Sequence, residues 1–92
     1  MKIEFDERKS AKNERERGLP FWLVQVFDFD TATVNEDRRH AYPEARYVAT
    51  GFIGERLYVV CFTPLPDGIR VISLRKANKR EVAKYDEKAL NR

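Results

Sequence analysis

Positive charge gathers near the end of the chain, where a predicted strand gives way to a predicted helix. Arg75 and Lys76 close the strand, and Lys79 and Arg80 follow in the first turn of the helix. A guanidinium group donates parallel hydrogen bonds to two phosphate oxygens and stays charged at any working pH. The segment 68–85 therefore predicts a place where a phosphate group binds, with Arg75 as its leading contact.

Other kinds of reactive site find little support in the sequence. His40 is the single histidine and Cys61 the single cysteine, so the composition excludes a zinc cluster. The sequence has no glycine-rich phosphate loop, and neither serine has a histidine partner in a recognisable motif. Asp28 and Asp30 lack further ligands in sequence and predict a turn or a cap. We therefore expect neither a metal ion nor a cofactor.

The composition is that of one globular domain spanning residues 1–92. Hydrophobic residues make up 42% of the chain and charged residues 36%, which suffices for one packed core beneath a heavily solvated surface. Residues 1–46 hold nine Lys and Arg against ten Asp and Glu, whereas residues 47–92 hold nine against five, a net charge of +4. A basic second half suits a polyanionic partner.

The sequence gives no sign of export or of a membrane segment. The amino terminus lacks an apolar signal core, and no apolar run approaches the roughly 20 residues that span a bilayer. Cys61 has no disulfide partner, which is typical of a reducing compartment, and its apolar neighbours predict a position in the core. We expect a cytoplasmic protein with no membrane partner.

The first half of the chain predicts a short edge strand at residues 3–5 and then a polar helix. Asp6 is a typical N-cap and Gly18 a typical left-handed stop for the helix Glu7–Arg17. The apolar run 21–27 fits either a buried strand or a short helix. One face of the first helix carries three residues at a spacing of four, which either face solvent or contact a ligand: Lys9, Asn13 and Arg17.

The second half predicts an antiparallel meander and a closing helix. A further strand starts near residues 32–34, ahead of a polar connector. Alternation and turn residues predict three longer strands, at residues 44–53, 56–63 and 69–75. Asn78 and Glu81 form a capping box at the start of the final helix. The buried stripe of that helix is predicted to consist of Val82, Tyr85 and Ala89.

Taken together, these residues resemble a known family, the BrnT toxins of bacterial type II toxin–antitoxin systems. The blocks that carry the resemblance lie in order and cover nearly the whole chain. They are Phe5-Asp6-x-x-Lys9-x-x-x-Asn13, Arg17-Gly18-Leu19-x-Phe21, His40-x-x-x-Glu44-x-Arg46-Tyr47-x-Ala49-x-Gly51, and Arg70-Val71-Ile72-Ser73-Leu74-Arg75-Lys76-Ala77-x-x-Arg80-Glu81-x-x-x-Tyr85.

The resemblance implies an α+β, RelE-like fold with an N-terminal strand and two helices, an antiparallel β-sheet meander and a C-terminal helix. It favours the helix for residues 21–27. It also implies a ribonuclease that inhibits translation and growth, with a BrnA-like ribbon-helix-helix antitoxin as partner in a hetero-oligomer. Operator DNA would be bound only through that antitoxin. The alternative is a non-enzymatic interaction module that acts as partner and corepressor of a DNA-binding antitoxin.

The chain departs from the family pattern in its first quarter. Phe5 stands where the family usually has Trp, and Pro20 stands where it has a small polar residue. Glu16 and Arg17 replace the family's Lys-His pair. A proton-transfer role for the family histidine therefore fails in this chain, whereas a phosphate-binding role for Arg17 is retained.

The reaction that the resemblance implies is RNA cleavage without a metal. It requires a base for the 2′-hydroxyl, charge stabilisation of the phosphorane, and an acid for the departing 5′-oxygen. We expect Lys9, Arg46 and Arg75 to converge on the scissile phosphate. Glu44 either takes part in catalysis or orients Arg46 through an ion pair on the same strand face. The candidate RNA contacts are Asn13, Arg17, His40, Lys76, Lys79 and Arg80, of which His40 is also a candidate proton carrier.

The orientation of strand side chains bears on these roles. Alternation places Val71, Ser73 and Arg75 on one half-buried face, where a solvated arginine is unusual, and this favours a functional contact for Arg75. Tyr47 and Tyr58 either stack on RNA bases or belong to the core.

Overall fold

A five-stranded sheet with helices on both of its faces organises the chain. The computed structural model describes residues 1–91. In chain order the elements are β1 (Lys2–Glu4), α1 (Glu7–Arg17), a 3-10 helix (Phe21–Val26), β2 (Thr33–Glu36), β3 (Tyr47–Ile53), β4 (Arg56–Leu65), β5 (Gly68–Lys76) and α2 (Lys79–Leu90). The strands lie in the order β1-β5-β4-β3-β2, and all neighbours are antiparallel except β1 and β5, which are parallel. The predicted α+β arrangement is confirmed.

Helix α1 begins and ends at the predicted residues. The Asp6 carboxylate accepts hydrogen bonds from the backbone N–H groups of Arg8, at 2.8 Å, and Lys9, at 3.1 Å. These contacts satisfy donors that have no partner within the helix. Gly18 ends the helix with a φ of 71°, and its N–H donates to the Glu14 carbonyl at 2.8 Å. A residue with a side chain is disfavoured in this left-handed conformation.

One face of the sheet packs against α1 and the 3-10 helix and forms the main core. The side chains of Val24, Val60 and Leu74 are completely buried there. Residues 21–26 are helical, as the family resemblance predicted, with a 3-10 geometry. Tyr47 and Tyr58 pack against this core, and the Tyr47 ring stacks on Phe62 with centroids 5.9 Å apart. The interpretation of these tyrosines as core residues is therefore favoured over base stacking.

Helix α2 covers part of the opposite face. Leu57, Val59 and Tyr85 are buried between α2 and the sheet, with Val82 packed against them. The Tyr85 hydroxyl donates to the Thr31 carbonyl at 2.8 Å. The predicted stripe is wrong at Ala89, which is exposed like the neighbouring Leu90. The last turn of α2 therefore projects past the strands on which Val82 and Tyr85 pack.

A β-bulge in β5 changes which side chains share a face. Cys61 of β4 lies opposite Ser73, but the next residue, Phe62, lies opposite Val71, so Ile72 is an extra residue. Because of this extra residue, Leu74 lies on the same core face as Val71, and Arg75 points toward α2. The predicted grouping of Val71 with Arg75 is therefore wrong, because simple alternation breaks at the bulge.

Two predicted strand boundaries are also wrong. The strand predicted from residue 44 begins at Tyr47, the residue that pairs with Glu36 at the end of β2 and with Phe62 of β4. Strand β4 continues through Pro64 to Leu65 instead of ending at residue 63. The last pair between β3 and β4 is Tyr47 with Phe62, so Pro64 lies beyond the end of β3. Proline has no backbone N–H, but at this position β3 offers no carbonyl to which such a group would donate.

Candidate functional site

Part of the sheet face beside α2 is left uncovered and is ringed by arginines. We call this surface the open face; its floor contains the exposed Ser73, the half-buried Cys61 and Ile72, and the buried Thr63. The connector between β2 and β3 borders it on one side, where Glu44 and Arg46 line a pocket with Thr63 and Ile72, and helix α2 meets it where Glu81 pairs with Arg75. Cys61 therefore lies at a half-exposed surface, not in the predicted core position, and burial raises the pKa of its thiol.

Arg75 borders the open face at the junction of β5 and α2 and is held by Glu81. Its Nη1 donates to Glu81 Oε1 at 2.7 Å and its Nη2 to Oε2 at 2.8 Å. The bidentate pair lowers the pKa of Glu81 to about 2 and raises the pKa of Arg75. Sequence reasoning treated Arg75 and Glu81 as separate features and missed this pair.

The same glutamate caps α2, as the sequence predicted. Glu81 Oε1 accepts from the backbone N–H of Asn78 at 2.9 Å, and Asn78 Oδ1 accepts from the N–H of Glu81 at 2.8 Å. The guanidinium of Arg75 is therefore bound to the same carboxylate that caps the N-terminus of α2. Arg75 has a fixed position on the edge of the open face.

The connector on the other side is organised around the carboxylate of Asp37, which is buried. Its oxygens accept three hydrogen bonds from Arg39: from the backbone N–H at 3.2 Å, from Nε at 2.9 Å and from Nη2 at 2.9 Å. The Tyr42 hydroxyl donates a further bond at 3.2 Å. Hydrogen bonds from Arg39 hold the pKa of Asp37 well below its usual range. These three residues lie in a charged stretch that looks solvated in sequence, so nothing marked them beforehand.

Arg46 lies at the end of the connector, and its cation is held by an aromatic ring. The guanidinium carbon lies 4.2 Å from the centroid of the Tyr42 ring, a cation–π contact. The Arg46 carbonyl accepts from the N–H of Asp37 at 2.7 Å, which fixes the backbone. Within residues 1–91 the Arg46 guanidinium makes no hydrogen bond or ion pair with a carboxylate. It is therefore available to an anionic ligand.

Glu44 contacts a different arginine from the one expected. Arg70 Nη1 lies 3.4 Å from both carboxylate oxygens of Glu44, and Arg70 Nη2 lies 3.1 Å from Glu4 Oε1. The predicted orienting pair between Glu44 and Arg46 is therefore replaced by a pair with Arg70, because residues 44–46 are not in a strand. Glu44 and Arg46 still line one small pocket of about 110 Å³.

His40 belongs to the same connector as Arg46. Its ring lies edge-on to Tyr42, with centroids 5.6 Å apart, and it is exposed. His40, Glu44 and Arg46 all line a pocket of about 240 Å³. The structure therefore brings together two of the candidate proton carriers, His40 and Glu44, and one candidate phosphate ligand, Arg46.

The candidates on α1 lie near the C-terminal end of β5. Asn13 Nδ2 donates to the carbonyls of Leu19, at 2.7 Å, and Leu74, at 2.9 Å, and so attaches α1 to the sheet. Arg17 lines a pocket of about 350 Å³ that also contains the predicted contacts Arg75 and Lys76. These positions agree with a cationic surface along the end of β5.

Three predicted residues stand apart from these groups. Lys9 is exposed on α1, which packs against the 3-10 helix and β5. Lys79 and Arg80 are exposed in the first turn of α2. The expected convergence of Lys9 with the two arginines stays a prediction.

The structure of residues 1–91 contains neither a metal-binding cluster of side chains nor a helix that could span a membrane. Within residues 1–91, no group of three or more His, Cys, Asp and Glu side chains is arranged to hold a metal ion. In the same range, every helix is too short or too polar to cross a membrane.

Comparison with known proteins agrees with the family resemblance of the sequence. Searches of curated proteins and of solved structures found no chain similar to this one. The model of a family described as the ribonuclease toxin BrnT of type II toxin–antitoxin systems matches residues 5–81, which include β1's neighbour Phe5, the connector and the junction at Arg75. The match covers well over half of the sequence, and the chain therefore belongs to the BrnT family of ribonuclease toxins.

Proposed function

We propose that the protein cuts RNA internally without a metal ion, on the open face. One observation carries the proposal: the sheet face that bears Ser73 has Arg75 at its junction with α2 and Arg46 beside Thr63 and Ile72, and Arg46 has no carboxylate partner within residues 1–91. A phosphate bound near Ser73 lies between Arg46, whose guanidinium is available, and Arg75, whose guanidinium is fixed by Glu81. Cleavage of translated or structural RNA there inhibits translation and growth.

The two arginines supply the charge stabilisation that the reaction needs. Attack of the ribose 2′-hydroxyl on the adjacent phosphate increases the negative charge on the phosphoryl oxygens. Donors held in place before the reaction stabilise that charge without reorganisation. The pair with Glu81 holds Arg75 in this way, and the Tyr42 ring holds Arg46.

Glu44 is the proposed general base. The carboxylates of Glu81 and Asp37 are poor bases, because hydrogen bonds from arginines lower the pKa of each. Glu44 is exposed, and its contacts with Arg70 are long, at 3.4 Å. His40, which lines the same pocket as Glu44, is the proposed proton donor to the departing 5′-oxygen.

The partner expected from membership of a toxin–antitoxin family is an antitoxin encoded with the toxin. We propose a BrnA-like ribbon-helix-helix protein that forms a hetero-oligomer with this chain and carries the contacts to operator DNA. Its binding silences the ribonuclease.

Purified toxin freed of its antitoxin tests the proposed reaction. Radiolabelled RNA should be cut in the presence of EDTA, and the 5′ fragments should end in 2′,3′-cyclic phosphate. An Arg46→Ala/Arg75→Ala double variant, purified in parallel, controls for contaminating nucleases. A strict requirement for magnesium contradicts the mechanism.

The non-enzymatic alternative is separated by expression without the antitoxin. If the chain is an enzyme, growth stops, and the Arg46→Ala/Arg75→Ala variant grows normally while still binding the antitoxin. Harmless expression of the wild-type protein favours a corepressor module.

A further inference from the structure

A second depression lies beside the open face, between α2 and strand β2. It is a cleft of about 310 Å³, which is within the size range of small-ligand pockets. Arg39 and Glu81 line it, so the cleft continues directly from the Arg75 side of the open face. Its lining includes the polar side chains of Thr33, Asn35 and Thr50 beside the apolar Val48 and the Tyr85 ring.

Two lysines of α2 give the cleft positive charge that no carboxylate neutralises. Lys84 and Lys88 are one helical turn apart, so both project from the same side of α2 into the cleft. Within residues 1–91 neither side chain makes a hydrogen bond or an ion pair.

The arginines on the opposite wall differ from these lysines. Arg38 is paired with Glu36 at 2.9 Å and Arg39 with Asp37 at 2.9 Å. The free positive charge of the cleft is therefore concentrated on α2. The Asn35 side chain on the floor makes no hydrogen bond within residues 1–91, so its amide is open to a ligand.

We propose that this cleft binds the single-stranded RNA that flanks the scissile phosphate. Lys84 and Lys88 contact backbone phosphates, and the Asn35 amide and the Thr50 hydroxyl form hydrogen bonds with one unpaired nucleotide. The proposal rests on the proposed function of the open face, since it is the adjoining RNA that the cleft holds.

The chemistry of the cleft favours RNA over an acidic protein segment. The buried centre of a protein interface is usually apolar and rich in aromatic residues. Here two lysines without ion pairs and an asparagine amide without a hydrogen bond within residues 1–91 face the cleft, and the Tyr85 ring is buried with its hydroxyl already bound to the Thr31 carbonyl. Sugar, base edge and phosphate offer the polar groups that such a surface can satisfy.

A salt titration of binding tests the proposal. The probe is a short fluorescein-labelled 2′-O-methyl oligoribonucleotide of mixed sequence, which has no free 2′-hydroxyl and so reports binding without cleavage. The Lys84→Gln/Lys88→Gln variant should bind all sequences more weakly. Two lost phosphate contacts should reduce the slope of log Kd against log salt by about 1.4, at about 0.7 per contact for a single strand.

A control with the same loss of charge is provided by Lys12→Gln/Arg56→Gln. Both residues are exposed and lie away from the cleft, on α1 and at the start of β4. The control should keep the wild-type slope. Equal slopes for the cleft variant and the wild type overturn the proposal, and loss of antitoxin binding in the cleft variant would then assign the lysines to a protein partner.

The binding assay also separates this inference from the proposed function. A wild-type protein that fails to cut RNA but shows the expected change of slope overturns the reaction and supports the cleft as an RNA site. A protein that cuts RNA in EDTA but shows no change of slope supports the reaction and overturns the cleft.

Discussion

Arg75 and Arg46 are the same residue type on two sides of one surface, yet they are held in opposite ways. Arg75 extends from strand β5 and is fixed by a bidentate pair with Glu81, which also caps α2. Arg46 follows an irregular connector and rests on the ring of Tyr42 with no carboxylate partner within residues 1–91.

In the proposed site, Arg75 contributes to stability as well as to ligand binding, whereas Arg46 contributes to ligand binding alone. A cation paired with the carboxylate that caps a helix contributes to folding whether or not a ligand is bound. A cation held by an aromatic ring keeps its N–H donors free for phosphate. We therefore expect mutations at the two arginines to reduce activity alike but to affect the free energy of unfolding differently.

The largest combined effect is expected for Arg75→Ala. Removal of a transition-state donor should raise the activation barrier by about 2 to 4 kcal/mol, roughly a 30-fold to 1,000-fold loss of rate. The variant should also lose about 1 kcal/mol of stability, a figure kept low because the Arg75 side chain is 39% exposed. Single-turnover cleavage and urea denaturation measure the two losses. An unchanged rate removes Arg75 from the site.

Arg46→Ala should show a comparable loss of rate with almost no loss of stability. The variant removes a phosphate donor but breaks no ion pair, so its free energy of unfolding should fall by only about 0.5 kcal/mol, the size of an exposed cation–π contact. The same two assays apply, with Arg46→Lys as the variant that keeps the charge but not the fork. A drop in stability equal to that of Arg75→Ala contradicts the proposed division of roles.

Low pH should weaken the ion pair between Arg75 and Glu81, because the Glu81 carboxylate becomes protonated. The pKa of Glu81 is about 2 in the folded protein, against an ordinary 4.5, so the unfolded chain binds the proton more readily. The stabilisation by this group is complete above pH 4.5 and is lost as the pH falls toward 2. Urea denaturation of Glu81→Gln, which cannot titrate, should show a smaller loss of stability between these pH values. Superimposable acid profiles for variant and wild type contradict the role of the pair.

The elements that rest on local signals could be read from the sequence. Asp6 and Gly18 fix the ends of α1 through contacts within a few residues, and Asn78 with Glu81 fixes the start of α2 in the same way. The cationic junction at Arg75 was located by the same kind of local pattern. Such features need no knowledge of the rest of the fold.

The features that rest on contacts between distant segments could not be read from the sequence. The bulge at Ile72 follows from how β5 pairs with β4, and it reverses the side-chain faces for the rest of the strand. The buried Asp37 depends on the connector folding back so that Arg39 and Tyr42 surround it. A run of charged residues gives no sign of such burial, so the group that positions Arg46 was missed.

The smallest expected effect concerns Tyr42, whose ring and hydroxyl have separate contacts. The ring lies beneath the Arg46 guanidinium, and the hydroxyl donates to Asp37 at 3.2 Å. Tyr42→Phe keeps the ring and should leave the cleavage rate near that of the wild type, whereas Tyr42→Ala should lower it by about twofold to fivefold, the equivalent of a cation–π contact. Single-turnover rates for the two variants separate the contacts. If Tyr42→Phe is as slow as Tyr42→Ala, the hydrogen bond to Asp37 positions the connector, and Arg46 is then held by the same kind of carboxylate-centred network as Arg75.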